Sequence, residues 1–214
     1  PITENYENGY HGYATTNFEK VNPYFGTAQD LKDLVKAAHE RDIWIMTDVV
    51  ANHVAPVGFD YDQIYPLSKA EHYHPYCQIT DWNDQENVEN CRLASFPDLK
   101  QENPEVAEYL KYWISTMIET FDFDGIRIDT VPEVPKWFWY EFGNAAGVFQ
   151  MGEVFNGSPS YVGGYQGYLT ALFNYPLFFN IRDVWISGNS MYEIKERYNS
   201  EESYFNDIDA LGVF

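Results

Sequence analysis

An α/β protein with a parallel sheet is what this sequence predicts, and three observations predict it. Segments with apolar residues at helical spacing alternate with short, densely apolar strands. The well-marked strands end in charged or amide side chains, as they do where carboxyl ends meet at one functional edge. One stretch, 51 to 98, lacks periodicity and interrupts the alternation as a loop-rich insertion.

The first helix is predicted over "TAQDLKDLVKAAHERD", 27 to 42. Thr27 can cap it with Asp30 three residues on, and Leu31, Leu34, Val35 and Ala38 form one stripe. "IWIMTDVV", 43 to 50, follows as a strand, apolar nearly throughout, as expected of a strand covered on both faces. After the insertion, "NPEV" opens a second helix, with Asn103 as cap and Pro104 in the first turn. Val106, Leu110, Trp113, Ile114, Met117 and Phe121 line one side of it. A strand at 124 to 129, a helix near 134 to 143 and a strand at 148 to 155 come next. Beyond 165 the pattern predicts strand 171 to 174, helices 176 to 187 and 190 to 198, and strand 210 to 214.

With 214 residues, 45% of them hydrophobic, the chain can bury a substantial core. No apolar run approaches the roughly 20 residues that span a bilayer. A formal charge of −20 argues against nucleic acid and anionic membrane surfaces as partners. Aromatic residues make up 18% of the chain, which serves either a ring-rich core or rings that stack on sugars, and composition does not choose. The two cysteines, Cys77 and Cys91, lie in one short irregular stretch. They are either buried thiols or a bridge; a bridge would close a loop worth roughly 3 kcal/mol. The bridge is the expectation, and with it a secreted protein. "NGS" at 156 to 158 is an N-glycosylation sequon. The opening "PITENY" has neither an initiator Met nor a signal region, as in a mature form or a fragment.

The polar strand ends suggest chemistry. Asp48 runs into Asn52-His53, the second strand ends at Arg127 and Asp129, and the third at Glu153. Arg127 and Asp129, two apart, share one face. A salt bridge explains one such pair, but carboxylates from two different strands suit glycoside hydrolysis, which needs one ionised and one protonated carboxyl. Arg127 is expected to keep Asp129 charged, and the apolar neighbours of Glu153 to favour its protonated form.

"DVVANH" (48 to 53), "GIRIDTV" (125 to 131) and "GEVF" (152 to 155) resemble, in order, the first three signatures of the α-amylase family of glycoside hydrolases. "FPDL" (96 to 99) resembles a fourth motif, and "GYHGY" (9 to 13) a sugar-binding loop. The cysteines and "AAGVFQMGEV" bring the likeness nearest to the secreted fungal α-amylases. The resemblance runs nearly end to end. It implies a partial (β/α)8 TIM barrel, about strands 3 to 7, with residues 1–50 and 99–214 as barrel parts and 51–98 as a calcium-binding subdomain. It implies Asp129 as nucleophile, Glu153 as general acid/base and Arg127 as the residue orienting Asp129, with Tyr13, His11 and His53 on the sugar. Asn52 and Asp98 would bind Ca²⁺ through side chains, and Glu89 and Glu133 through backbone carbonyls. Oxygen-only ligation suits this hard ion.

The implied substrate is an α-1,4-glucan such as starch, and the implied protein a secreted monomer. Transfer between cell-wall glucans, or glucan binding without catalysis, are the alternatives. The sequence departs from the fungal pattern at Pro132-Glu133, where Lys-His is usual, and at Ala14, where Trp is common. A complete barrel needs about 250 residues. The chain ends "LGVF" just where the family would continue into Asn-His-Asp, with a third carboxylate, so a piece of an enzyme is expected.

Overall fold

The computed structural model describes residues 1–7 and 9–212. In chain order its elements are β1 (Thr3–Asn5), β2 (Thr15–Val21), α1 (Ala28–His39), β3 (Met46–Val49), α2 (Gln85–Asn90), α3 (Pro104–Phe121) and β4 (Gly125–Ile128). Then come α4 (Lys136–Ala146), β5 (Phe149–Gly152), α5 (Pro159–Gly163), β6 (Ala171–Phe173), α6 (Tyr175–Ser187), α7 (Tyr192–Glu201) and β7 (Leu211–Gly212). β1 and β2 pair antiparallel, while β3 to β7 form one parallel sheet in sequential order. A sheet that adds each strand beside the last, with helical crossovers between, is an arc of a (β/α)8 barrel rather than a doubly wound sheet.

Local sequence explains the main helices. Thr27 and Asp30 form the expected capping box at α1, and Asn103 caps α3, with Pro104 as its first residue. Val106, Leu110, Trp113, Ile114 and Met117 of α3 are buried against the sheet. Asp122 in the left-handed region ends that helix, and Gly147 does the same for α4. The core joins α3 and α4 to the strands through Phe138, Trp139 and Phe142, all fully buried.

Two expectations are corrected. β3 begins at Met46 rather than Ile43, and Trp44 is 84% exposed, because β3 is an edge strand and not a strand covered on both faces. On α1, Val35 and Ala38 are buried but Leu34 is 59% exposed, lying off the face that meets α3. The pairing of β1 with β2 and the short helices α2 and α5 carry no periodicity long enough to read from sequence. The strand expected at 210 to 214 is seen as β7; residues 213 and 214 lie outside the described residues.

Between β3 and α3 the chain makes short 3-10 turns, α2 and isolated bridges that join His53 to Asp98 and Gln78 to Arg92. The Cys77–Cys91 disulfide is formed there. Among the described residues no helix is long and apolar enough to cross a membrane.

Candidate active site

The site forms because neighbouring strands are in register. Asp48 on β3 lies opposite Arg127 on β4, and the parallel ladder continues past both strand ends. Asp129 N donates to Val49 O at 3.0 Å, and Glu153 N donates to Ile128 O at 2.8 Å. The residue before Glu153 is packed tightly: a Cβ at Gly152 would lie 2.4 Å from a Leu169 methyl, which would have to shift. Thr130 adopts φ 51° and ψ 48°, a conformation disfavoured for a β-branched residue, directly after Asp129.

Arg127 stands at the centre. Its Nη1 meets Asp129 Oδ1 at 2.5 Å and Asp48 Oδ1 at 3.2 Å, and its Nη2 meets Glu153 Oε2 at 2.9 Å. One guanidinium therefore serves three carboxylates, not Asp129 alone. This corrects the electrostatic expectation. Burial pushes the Asp129 carboxyl up to about 7, Arg127 opposes that rise, and neighbouring Glu153 adds to it. Glu153 does not stand in an apolar niche either, because it is held by Arg127 and by the Tyr175 hydroxyl at 2.9 Å.

Tyr13, His11 and His53 gather beside this centre. The Tyr13 hydroxyl donates to Asp48 Oδ2 at 2.9 Å, and the Arg127 guanidinium lies 5.9 Å from the Tyr13 ring centroid. His11 stacks on Tyr13, with its Nδ1 accepting from the Tyr13 amide at 3.0 Å. His53 is only 3% exposed and sits on the Tyr13 carbonyl, so it anchors the loop that carries His11 and Tyr13. On the other side of Glu153, a groove of about 480 Å³ is lined by Trp82, Leu93, Pro132, Glu133 and Phe155, among others. Trp82 and Phe155 present their rings to solvent, so aromatic residues serve both the core and the cleft. Sequence reading did not assign Asp48, Tyr175, Trp82 or Phe155 to the site. The position of Asp48 near the end of its strand was the available signal for one; the others depend on where the loops and the start of α6 fall.

Asn52 tests the fit of a cation. Burial lowers His53 to about 4, so its ring is neutral, and Nε2–H donates to Tyr13 O at 3.1 Å. Nδ1 then needs a donor, which the Asn52 amide nitrogen supplies at 3.2 Å. This orientation turns Asn52 Oδ1 toward Asp98 Oδ1 at 2.8 Å and Glu133 O at 3.3 Å. Reversing the amide would satisfy those two acceptors but set an oxygen against the His53 lone pair. Three oxygens converging in this way fit a hard cation. Asp98 Oδ2 is held by His74 Nδ1 at 2.7 Å, which leaves Oδ1 facing Asn52. Glu89 lies on α2, which packs on the Val131–Glu133 turn through Gln85, whose amide donates to Pro132 O at 2.8 Å. Among the described residues no group of three or more His, Cys, Asp or Glu side chains could hold a metal ion, so a cation here would rely on amide and carbonyl oxygens beside the single Asp98 carboxylate.

The family model for the alpha-amylase catalytic domain matches residues 1–145. The chain belongs to the alpha-amylase family. Among its relatives, a beta/alpha-amylase of Paenibacillus polymyxa is 41% identical over all of this chain and 18% of its own length. Alpha-amylase 2 of Schwanniomyces occidentalis is 36% identical over all of this chain and 44% of its own. The crystal structure of an alpha-amylase from Geobacillus thermoleovorans, complexed with acarbose, superposes with a TM-score of 0.93 at 38% identity. That match covers 100% of this chain and 49% of the Geobacillus one. The chain thus spans less than half the length of these alpha-amylase relatives.

Proposed function

We propose that this chain carries the nucleophile and acid/base of a retaining α-amylase that cuts α-1,4-glucosidic bonds within starch and related glucans. The observation that supports this best is the placement of Asp129 and Glu153, from adjacent strand ends, on one guanidinium. Sharing Arg127 keeps the two carboxyl groups close together, as a double displacement requires. In the first step the ionised Asp129 carboxylate attacks the anomeric carbon while Glu153 passes its proton to the departing glycosidic oxygen. In the second, Glu153 takes a proton from water, which displaces Asp129 and releases the sugar.

Arg127 holds both carboxylates in place, and Asp48 holds Arg127 and the Tyr13 hydroxyl. Tyr13 and His11 offer stacked rings to the sugar on one side of the cut, and Trp82 and Phe155 on the other. Asn52 and Asp98 side chains with the Glu133 and Glu89 carbonyls would hold Ca²⁺, which when bound ties the 51–98 segment to the sheet edge. The disulfide supports secretion, and the active unit is proposed to be monomeric.

Transfer to a sugar acceptor is the second reading. Pro132 removes the usual lysine from the leaving-group side, and the groove there is bordered by Trp82, Leu93 and Phe155. Such a surface suits a second sugar as well as water. Product analysis with maltoheptaose decides: only shorter chains mean hydrolysis, and longer chains alongside them mean transfer. Asp129→Asn should abolish turnover and spare glucan binding; undiminished turnover would sink both catalytic readings and leave glucan binding alone.

A further inference from the structure

Both oxygens of Glu153 are engaged, but by groups of different character. Oε2 meets Arg127 Nη2 at 2.9 Å and the Thr130 amide at 3.4 Å. Neither of these two groups can accept a hydrogen bond, so a proton on Oε2 finds no acceptor in them. The neighbouring Asp129 carboxylate could accept it, but is the proposed nucleophile and not the leaving oxygen. Oε1 accepts from the Tyr175 hydroxyl at 2.9 Å, which takes one of its two lone-pair directions. We propose that Tyr175 is a positioning residue that fixes Oε1, the oxygen Arg127 and the Thr130 amide leave for the proton, with its free direction toward the glycosidic oxygen. This rests on the reading of Glu153 as acid/base.

The chain holds Tyr175 firmly enough for that task. It is the first residue of α6, next to the cap residue Asn174, whose side chain accepts from Leu177 N at 3.0 Å. Asn174 also donates to Glu201 Oε2 on α7 at 2.8 Å, and its amide donates to Gly212 O on β7 at 2.8 Å. The Tyr175 ring stands edge-on to Phe155 with centroids 4.8 Å apart. Three elements therefore set the direction of one hydroxyl. With that hydroxyl in place, the proton leaves Oε1 as the C1–O bond breaks and the electron pair goes to the leaving oxygen. Water returns a proton to the same oxygen in the second step.

Tyr175→Phe keeps the ring and its packing and removes only the hydroxyl. The protein and this variant are compared by kcat/KM, which reports the steps up to the glycosyl-enzyme, on two substrates. A maltooligosaccharide has a leaving sugar that needs the proton; α-maltosyl fluoride has a leaving group that does not. The expected result is a loss of about tenfold or more on the oligosaccharide, within the range for proton-transfer catalysis, and a loss under about twofold on the fluoride. Equal losses on both substrates would show a merely structural role and overturn the proposal, as would no loss on either. An unsubstituted full-length protein inactive on both would instead overturn the hydrolase reading, and this inference with it.

Discussion

Asp129, the proposed nucleophile, is pushed toward neutrality by burial and should cost stability, and Asp129→Asn measures that cost. Its carboxyl is raised from 3.8 to about 7 in the fold, so the folded state binds the proton more tightly than the unfolded chain. Its favourable contribution is therefore complete below about pH 4 and is lost as pH rises through about 7. A separation of about three pH units, at 1.36 kcal/mol each, gives an upper bound of about 4 kcal/mol. Asparagine is neutral at every pH and nearly the same shape. Arg127 keeps Asp48 and Glu153 as partners in the variant, so no cation is stranded. Urea unfolding at pH 4 and pH 8 provides the assay. The variant should match the parent or fall slightly below it at pH 4 and exceed it at pH 8, while glucan turnover disappears. Parallel pH–stability curves, or a variant weaker at pH 8, would refute the claim that desolvation outweighs Arg127 at this carboxylate.

Other outcomes follow from the same geometry. Arg127→Leu should cost about 3 kcal/mol or more in urea titration, because it leaves Asp48, Asp129 and Glu153 crowded without their cation. Replacing Cys77 and Cys91 together by serine should cost about 3 kcal/mol, the chain-entropy value for a loop of this size, and reductant should lower the parent's Tm but not the variant's. Chelation with EDTA should lower Tm and calcium restore it, by up to about 2.7 kcal/mol at a hundredfold excess over Kd. Asn52→Ala should erase that difference, since its Oδ1 faces Asp98 and Glu133; an unchanged calcium response would remove Asn52 from the site.

Much of this molecule is legible in short stretches of sequence. Thr27 with Asp30, and Asn103 with Pro104, start helices because caps act through neighbouring backbone groups. The buried stripe of α3 follows from the 3.6-residue period. Asp129 and Glu153 stand out because each directly follows a strand, and strand ends are local features. The nearness of Cys77 and Cys91 likewise made their pairing readable.

What required the folded chain were relations between distant residues. That Arg127 serves Asp48 and Glu153 as well as Asp129 depends on the register of β3, β4 and the segment after β5, which no single stretch encodes. The rise in the Asp129 pKa depends on how much water the surrounding elements exclude, and a charged neighbour two residues away does not report that. Tyr175 reaches Glu153 across 22 residues because α6 begins beside the strand end. Sequence by itself determined which groups could do the chemistry. Tertiary structure decided which oxygen meets which donor and at what electrostatic cost, because distance and desolvation are properties of the assembled surface.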